Sequence, residues 1–249
     1  MVDKSAAILL HHFRYSDSGI ITHFYTEKFG RLAVMIKGAG SRKPGKNRIC
    51  LQPLAVTELV LSIREQREIQ TLRDFSVIYT PSDIYGNPVK SSIAMFIGEV
   101  LSAVLKEESP QPELYAYLYE SVKYFDRCRT GFTNFHIGFL AGLCGYLGIE
   151  PSRRTDPEHS VFDYTNGCFV TVPPAHGNYA GMDISDLLAR IFGSSWEEMI
   201  SMPLNGQTRN DLLAALLAYY YSHFPSMKKI RSLEVLRIVF QPLPHINNP

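Results

Sequence analysis

The sequence predicts an α+β protein: a small all-β barrel or sandwich first, then a helical domain with a loop-rich insertion. Three observations predict it. As far as about Val77, apolar residues come in short, partly alternating runs separated by turn residues, the pattern of half-buried strands. From Pro88 onward they recur at helical spacing, the pattern of an amphipathic face. Between Ile149 and Ala180 both periods fade, and Pro, Asp, Asn, Gly and Ser dominate, a loop composition.

Five strands are expected, over residues 7–10, 20–25, 31–36, 56–63 and 70–78. Five short strands joined by Gly-, Asp- or Pro-containing turns suit a small barrel or sandwich. The turn "TEKFGR" sets Gly30 where a hairpin needs a positive φ. The helical period opens at Asn87–Pro88 and continues through Ile93, Phe96, Ile97, Val100, Leu101, Val104 and Leu105. A second helix starts near Pro112 with Glu113 in its first turn, where Pro and an acid both favour initiation. Its expected inner face is Leu114, Tyr117, Leu118, Val122 and Phe125. A third runs over 134–147, with Gly138, Gly142 and Gly145 permitting close helix approach. The insertion contains one short hairpin, 161–164 with 168–172, turned at Asn166–Gly167. Further helices are expected over 185–192, 196–199, 210–222 and 230–240, with "QPLPHINNP" as a frayed tail. The domains are therefore 1–80 and 81–249, with the insertion at about 149–180.

The composition is that of an ordinary globular chain: 249 residues, 45% hydrophobic, 20% charged and a net charge of +1. The charge is unevenly spread. Residues 1–80 hold twelve Lys or Arg against seven Asp or Glu, a net of +5, while the other 169 hold thirteen against seventeen, a net of −4. A basic first third can focus an attractive potential for phosphates although the whole is near neutral. Four separated cysteines, Cys50, Cys128, Cys144 and Cys168, suit a reducing compartment. The apolar run after the amino terminus is only five residues long, short for a signal peptide, and no segment is long enough to span a membrane.

Enzyme motifs are missing. The sequence has no P-loop, dinucleotide fingerprint, serine elbow or paired-histidine zinc helix. "KGAGSRKPGKNR" resembles a phosphate cradle superficially, but it lacks the Gly-Lys-Ser/Thr ending and Pro44 interrupts a helix start. Adjacent His11 and His12 are expected on opposite strand faces, one inward and one exposed. Cys144, His159, Cys168 and His176 border the insertion, yet no C-x2-C pair occurs, so no metal is assigned. Asp156, Glu158, Asp163 and Asp183 read as turn and surface residues. An enzyme site in the insertion would have to use Cys168, His159 and Asp163.

The basic segment points elsewhere. Lys28, Arg31, Lys37, Arg42, Lys43, Lys46 and Arg48 follow one another with no acid between them, spaced by Gly38, Gly40, Pro44 and Gly45. Small spacers leave backbone N–H groups free to meet phosphates, and Phe13, Tyr15, Phe24, Tyr25 and Phe29 lie nearby for stacking. These residues imply a nucleic-acid binder without sequence preference. The alternative is a scaffold protein whose basic loop docks an acidic protein partner.

The amino-terminal stretch also resembles the RecO family of DNA repair and recombination mediators. The resemblance rests on Tyr15–Ser16, Thr26, Glu27, Gly30, Lys37, Gly38, Ala39, Pro53 and Leu54, in that order. It implies a non-enzymatic protein with an oligonucleotide-binding (OB) barrel, a helical domain and no cofactor. It further implies binding of single- and double-stranded DNA, strand annealing and partnership with RecR. The outcome is loading of RecA onto DNA coated by single-stranded DNA-binding protein, whose acidic, Phe-ended tail docks in the helical part. Such a protein works in the bacterial cytoplasm at the nucleoid. On this chain the implied DNA contacts are Lys37, Arg42, Lys43, Lys46 and Arg48, supported by Arg14 and Arg31. Lys123, Arg127, Arg129, Lys228, Lys229 and Arg231 are the charges open to the tail. Many members carry a four-cysteine zinc module in the insertion. Here only Cys144 and Cys168 stand in that stretch, so packing of Phe162, Tyr164 and Phe169 is expected to hold it instead.

Overall fold

The computed structural model describes residues 2–17, 19–37, 51–64, 66–106, 109–155 and 160–240. Its first five strands are β1 (Val2–Arg14), β2 (Gly19–Thr26), β3 (Gly30–Lys37), β4 (Val56–Ser62) and β5 (Ile69–Tyr79), closed into a barrel in the order β1-β2-β3-β5-β4. Every pairing is antiparallel except β3 with β5. This OB-like barrel followed by helices is the fold class expected.

β1 is much longer than its four-residue apolar run. Val2–Ile8 pairs with β4 and Ala7–Arg14 with β2, so one strand serves two neighbours. Its ends are polar and exposed, which is why hydropathy alone shortens it. The interior is built from Ala7, Leu9, Phe24, Val34, Ala55, Leu59 and Leu61. The β2–β3 turn depends on two residues. Gly30 has φ of 62°, a region that favours glycine. The buried Thr26 hydroxyl donates to the Gly30 carbonyl at 2.9 Å and accepts from Phe29 N–H at 3.0 Å.

A register shift between Leu9 and His11 corrects the histidine expectation. A bulge changes which way successive side chains point. His11 pairs with His23 and His12 with Thr22, and both His11 and His12 are exposed, with ring centroids 6.4 Å apart.

Two compact units form. One comprises residues 1–127 with 228–236, and the other 128–227 with 237 onward. In the first, the barrel is joined by α1 (Ser82–Gly86), α2 (Pro88–Val104) and α3 (Pro112–Arg127). Asn87 caps α2, its side chain accepting from Val89 N–H at 3.0 Å and Lys90 N–H at 3.3 Å. The helix packs its buried Ile93, Phe96, Ile97, Val100 and Leu101 inward. It lies so close to β1 that a Cβ on Gly98 would stand 2.5 Å from the Leu10 carbonyl oxygen. On α3 the expected Leu114, Leu118, Val122 and Phe125 are buried together with Tyr115, while Tyr117 is half-buried. Tyr115 lies seven residues before Val122 and so shares its face; the expectation chose the wrong tyrosine.

In the second unit, α4 (Phe135–Tyr146) is followed by a hairpin, β6 (Val161–Asp163) and β7 (Cys168–Val170), and then by α5 (Met182–Ile191), α6 (Trp196–Ser201) and α7 (Gly206–His223). Each of the last three helices begins at or before its expected start, since polar first turns hide from an apolar pattern. Gly138 packs against Met199, which a Cβ would meet at 2.5 Å. The insertion is organised by Phe162, whose ring centroid lies 4.9 Å from Phe169, 5.1 Å from Tyr219 and 5.9 Å from Tyr164. The last helix, α8 (Ser232–Phe240), starts two residues later than expected. The tail after it lies outside the described residues.

Candidate nucleic-acid interface

Arg14 ends β1 and Lys37 ends β3, and the register brings these ends to one mouth of the barrel. Arg14 pairs with Ile20, Ile20 with Ile36, and Gly19 with Lys37. Both cations are exposed. The turn between β1 and β2 is tied by Ser16, whose hydroxyl accepts from Gly19 N–H at 2.9 Å. Arg14 reaches over it, donating to the carbonyls of Ser16 and Asp17 at 3.3 Å each. Arg42, Lys43, Lys46 and Arg48 lie outside the described residues.

The structure divides the five aromatics by burial. Phe24 and Tyr25 are buried and Phe29 is half-buried, whereas Phe13 is 43% and Tyr15 65% exposed. The two exposed rings flank Arg14 in sequence. The mouth therefore presents cations beside exposed aromatic rings, a pairing that suits phosphates and unstacked bases.

Arg31 does not join this group. It stands six residues before Lys37 on β3, about 20 Å away along an extended strand. There it donates to His23 Nδ1 at 3.1 Å. Arginine has no acceptor, so this bond leaves the imidazole hydrogen on Nε2. Burial, followed by the charges of Arg31, His11 and Lys106, lowers the His23 pKa to about 4. Lys106, the second residue after α2, is exposed. Its own pKa is lowered by partial burial and then by Arg31 and Lys228. Residues expected for two different tasks, Arg31 and Lys228, thus act on one lysine that the sequence did not single out. Nothing local marks the bond between Arg31 and His23, because it depends on strand register.

The other helical-domain cations are placed separately. Lys123 pairs with Glu120 at 2.9 Å and lies over the Tyr119 ring at 4.9 Å. Arg127 is exposed at the end of α3, and Arg129 is exposed in the second unit. Lys229 pairs with Glu234 at 3.0 Å. Arg231 donates its backbone N–H to Glu99 at 2.9 Å.

The insertion offers little chemistry. Cys144 is fully buried, and its thiol donates to the Leu140 carbonyl at 3.3 Å. Burial pushes its pKa up to about 12, unsuited to a thiolate metal ligand. Asp163 is a turn residue, accepting from Thr165 N–H at 2.8 Å and Asn166 N–H at 3.2 Å. His176 contacts it at 3.3 Å. His159, Asp156 and Glu158 lie outside the described residues. Among the described residues no three His, Cys, Asp or Glu side chains gather to hold a metal, and no helix is long and apolar enough to cross a membrane.

Two family models match the chain: Recombination protein O N terminal over residues 1–81 and Recombination protein O C terminal over 86–233. The chain belongs to the RecO family. Among its relatives is a DNA repair protein RecO of Phocaeicola vulgatus, 31% identical over 240 residues, covering 96% of this chain and 100% of that protein. Another, from Bacteroides fragilis, is 31% identical over 241 residues with the same coverage. A third, from Christiangramia forsetii, is 28% identical over 241 residues, again with that coverage. RecO membership makes the chain a DNA repair and recombination mediator, not a catalyst.

Proposed function

We propose that this RecO protein binds single- and double-stranded DNA at the barrel mouth and anneals complementary strands. Together with RecR it helps load RecA onto DNA coated by single-stranded DNA-binding protein, and the helical part receives that protein's acidic tail. The work is done in the cytoplasm, at the nucleoid. The observation that carries the DNA reading is the convergence of Arg14 and Lys37 on one barrel mouth beside exposed Phe13 and Tyr15. The segment from Gly38 to Cys50, with Arg42, Lys43, Lys46 and Arg48, follows Lys37 directly in the chain.

Annealing requires no proton transfer and no nucleophile. Two polyanions must approach one another while their base edges stay available. Cations that meet phosphates lower the repulsion without reading sequence, and each phosphate neutralised releases counterions. Exposed rings hold bases out of a self-stacked strand. Affinity should therefore fall steeply with salt and depend little on base composition.

The test is fluorescence anisotropy of a labelled strand of about 30 nucleotides across a salt series, for the native protein and for Lys43→Ala/Lys46→Ala/Arg48→Ala. Tight, salt-sensitive binding that is largely lost in the triple variant is expected. Absence of binding at low salt would leave a scaffold role, with the basic loop meeting an acidic protein surface.

A further inference from the structure

We propose that a single strand of nucleic acid crosses the barrel mouth transversely to the β-strands, along a row from Tyr15 past Gly19 and Lys37 to Arg73, and that Arg73 of β5 is a backbone contact. This rests on the reading that the chain binds DNA at this mouth, and adds the path and the residue that ends it.

The row follows from register. Tyr15 N–H donates to the Gly19 carbonyl at 3.0 Å, and Gly19 pairs with Lys37 across β2 and β3. β3 and β5 run parallel with Met35 beside Thr71, and Lys37 and Arg73 each stand two residues further along. On β3, Val34 and Ile36 are buried, so Lys37 faces out. On β5, Leu72 and Phe75 pack on the barrel interior, while Arg73 and Asp74 between them are both exposed. Two outward residues in succession mark a bulge. Asp74 pairs with Val60 and Leu72 with Leu61, which makes Arg73 the extra residue. Neighbouring strands lie about 4.8 Å apart, so the row is roughly 14 Å long.

The row has a stacking end and an ionic end. The exposed Tyr15 ring opens it, and Lys37 and Arg73, both exposed, close it. Among the described residues neither cation pairs with a carboxylate. Two acids border the row in sequence. Asp17 pairs with Arg14 at 3.7 Å, and Asp74 accepts from Phe75 N–H at 2.9 Å. Asp74 is exposed beside Arg73 and weakens the field there, an effect that can be removed by substitution. Gly19 keeps the middle of the row low. A Cβ on it would stand 2.8 Å from Ser16 Oγ and 3.3 Å from Met35 Sδ, so the β1–β2 turn lies close against β3. A strand with one base on Tyr15 carries its next phosphates over this floor toward Lys37 and Arg73, whose planar fork suits phosphate oxygens. Phosphate contacts leave those bases unread and free to pair.

Anisotropy of a labelled single strand across a salt series reads the contact. Arg73→Ala should weaken binding about two- to fivefold and lower the salt slope by about 0.7. Arg73→Lys keeps the charge and should keep the slope, which separates a lost contact from a disturbed bulge. Asp74→Asn should strengthen binding. Arg67→Ala removes an exposed arginine from the turn before β5, six residues from Arg73, and should leave affinity and slope near their native values. A native slope in Arg73→Ala, a loss in Arg73→Lys as large as in Arg73→Ala, no gain in Asp74→Asn, or an Arg67→Ala loss equal to that of Arg73→Ala would each overturn the proposal. In all four cases salt-sensitive binding by the native protein would leave the DNA reading standing; if the native protein bound no strand at low salt, both would fall.

Discussion

Lys90 Nζ, in a side chain only 1% exposed, donates to the Asp126 backbone carbonyl at 3.0 Å. The same ammonium donates to the Phe125 carbonyl at 2.9 Å and pairs with the Asp83 carboxylate. The Asp126 carboxylate, for its part, accepts from Tyr79 Oη at 2.7 Å, Asp83 N–H at 2.9 Å and Ile84 N–H at 3.0 Å. The end of β5, α1, α2 and α3 are thus joined through two buried charged residues. Removing one partner leaves the other polar groups without compensation in a low dielectric. Lys90→Met should destabilise the protein by about 3–5 kcal/mol, read as a lower urea midpoint. A shift below 1 kcal/mol would mean that the network contributes little.

Gly98 tests how closely α2 lies on β1. A Cβ there would stand 2.5 Å from a backbone oxygen of Leu10, and backbone cannot rotate out of the way as a side chain can. Gly98→Ala ordinarily favours a helix by up to about 1 kcal/mol. Here overpacking should outweigh that and cost about 1–3 kcal/mol. A thermal melt separates the two, since an unchanged or raised midpoint would contradict the close approach.

Acid sensitivity should come in part from His136. Its ring is fully buried, stacked on Phe240 with centroids 5.7 Å apart, and burial followed by the Arg209 charge lowers its pKa to about 3. The unfolded chain, with an ordinary imidazole near 6.5, binds the proton first as pH falls. The contribution of neutral His136 is therefore whole above about 6.5 and drains away as pH drops toward about 3. The slope approaches about 1.4 kcal/mol per pH unit. His136→Leu should flatten denaturation free energy against pH between 6.5 and 4, whatever it costs at neutral pH. A slope identical to that of the native protein would assign acid lability to other groups.

Much of this fold was legible because its signals are local. Asn87–Pro88 starts a helix by capping chemistry, and Thr26 with Gly30 closes a hairpin by a hydroxyl and a positive φ. The full length of β1 was not legible, since its polar ends are strand only through pairing with β2 and β4. The histidine arrangement depended on a bulge that no residue type announces. The bond between Arg31 and His23 was hidden for a similar reason, since it joins two strands through their register, whereas the basic run after β3 is conspicuous because its charges are adjacent in the chain.

The α8 start offers a test of the returning segment. Glu99 on α2 accepts from Arg231 N–H at 2.9 Å, Ser232 N–H at 2.8 Å and Ser232 Oγ at 2.5 Å, meeting donors that a helix leaves unsatisfied. Those bonds, against the opposing effect of burial, hold the Glu99 carboxyl below its usual pKa. Its stabilising effect is then present above the ordinary glutamate range and lost as pH falls through the lowered value. Glu99→Gln should cost about 1–2 kcal/mol and speed amide exchange at Arg231 and Ser232. Unchanged exchange there would show that the segment is held by other means.

Phe13 and Tyr15 distinguish a stacking mouth from a purely ionic one. Both are exposed beside Arg14, and neither is needed to fill the barrel interior. Replacing them with alanine should leave the melting midpoint nearly unchanged. Base stacking contributes about 1–3 kcal/mol for each ring lost, so single-strand affinity should fall about fivefold or more per substitution. Duplex bases are already stacked on one another, and duplex affinity should fall much less. The salt slope should stay the same, because no phosphate contact is removed. Arg14→Ala/Lys37→Ala should do the reverse, lowering the slope by about 1.4 on single strands and weakening both substrates. Equal losses on single strands and duplex in the aromatic variants would show that the rings hold the mouth in shape and do not carry bases.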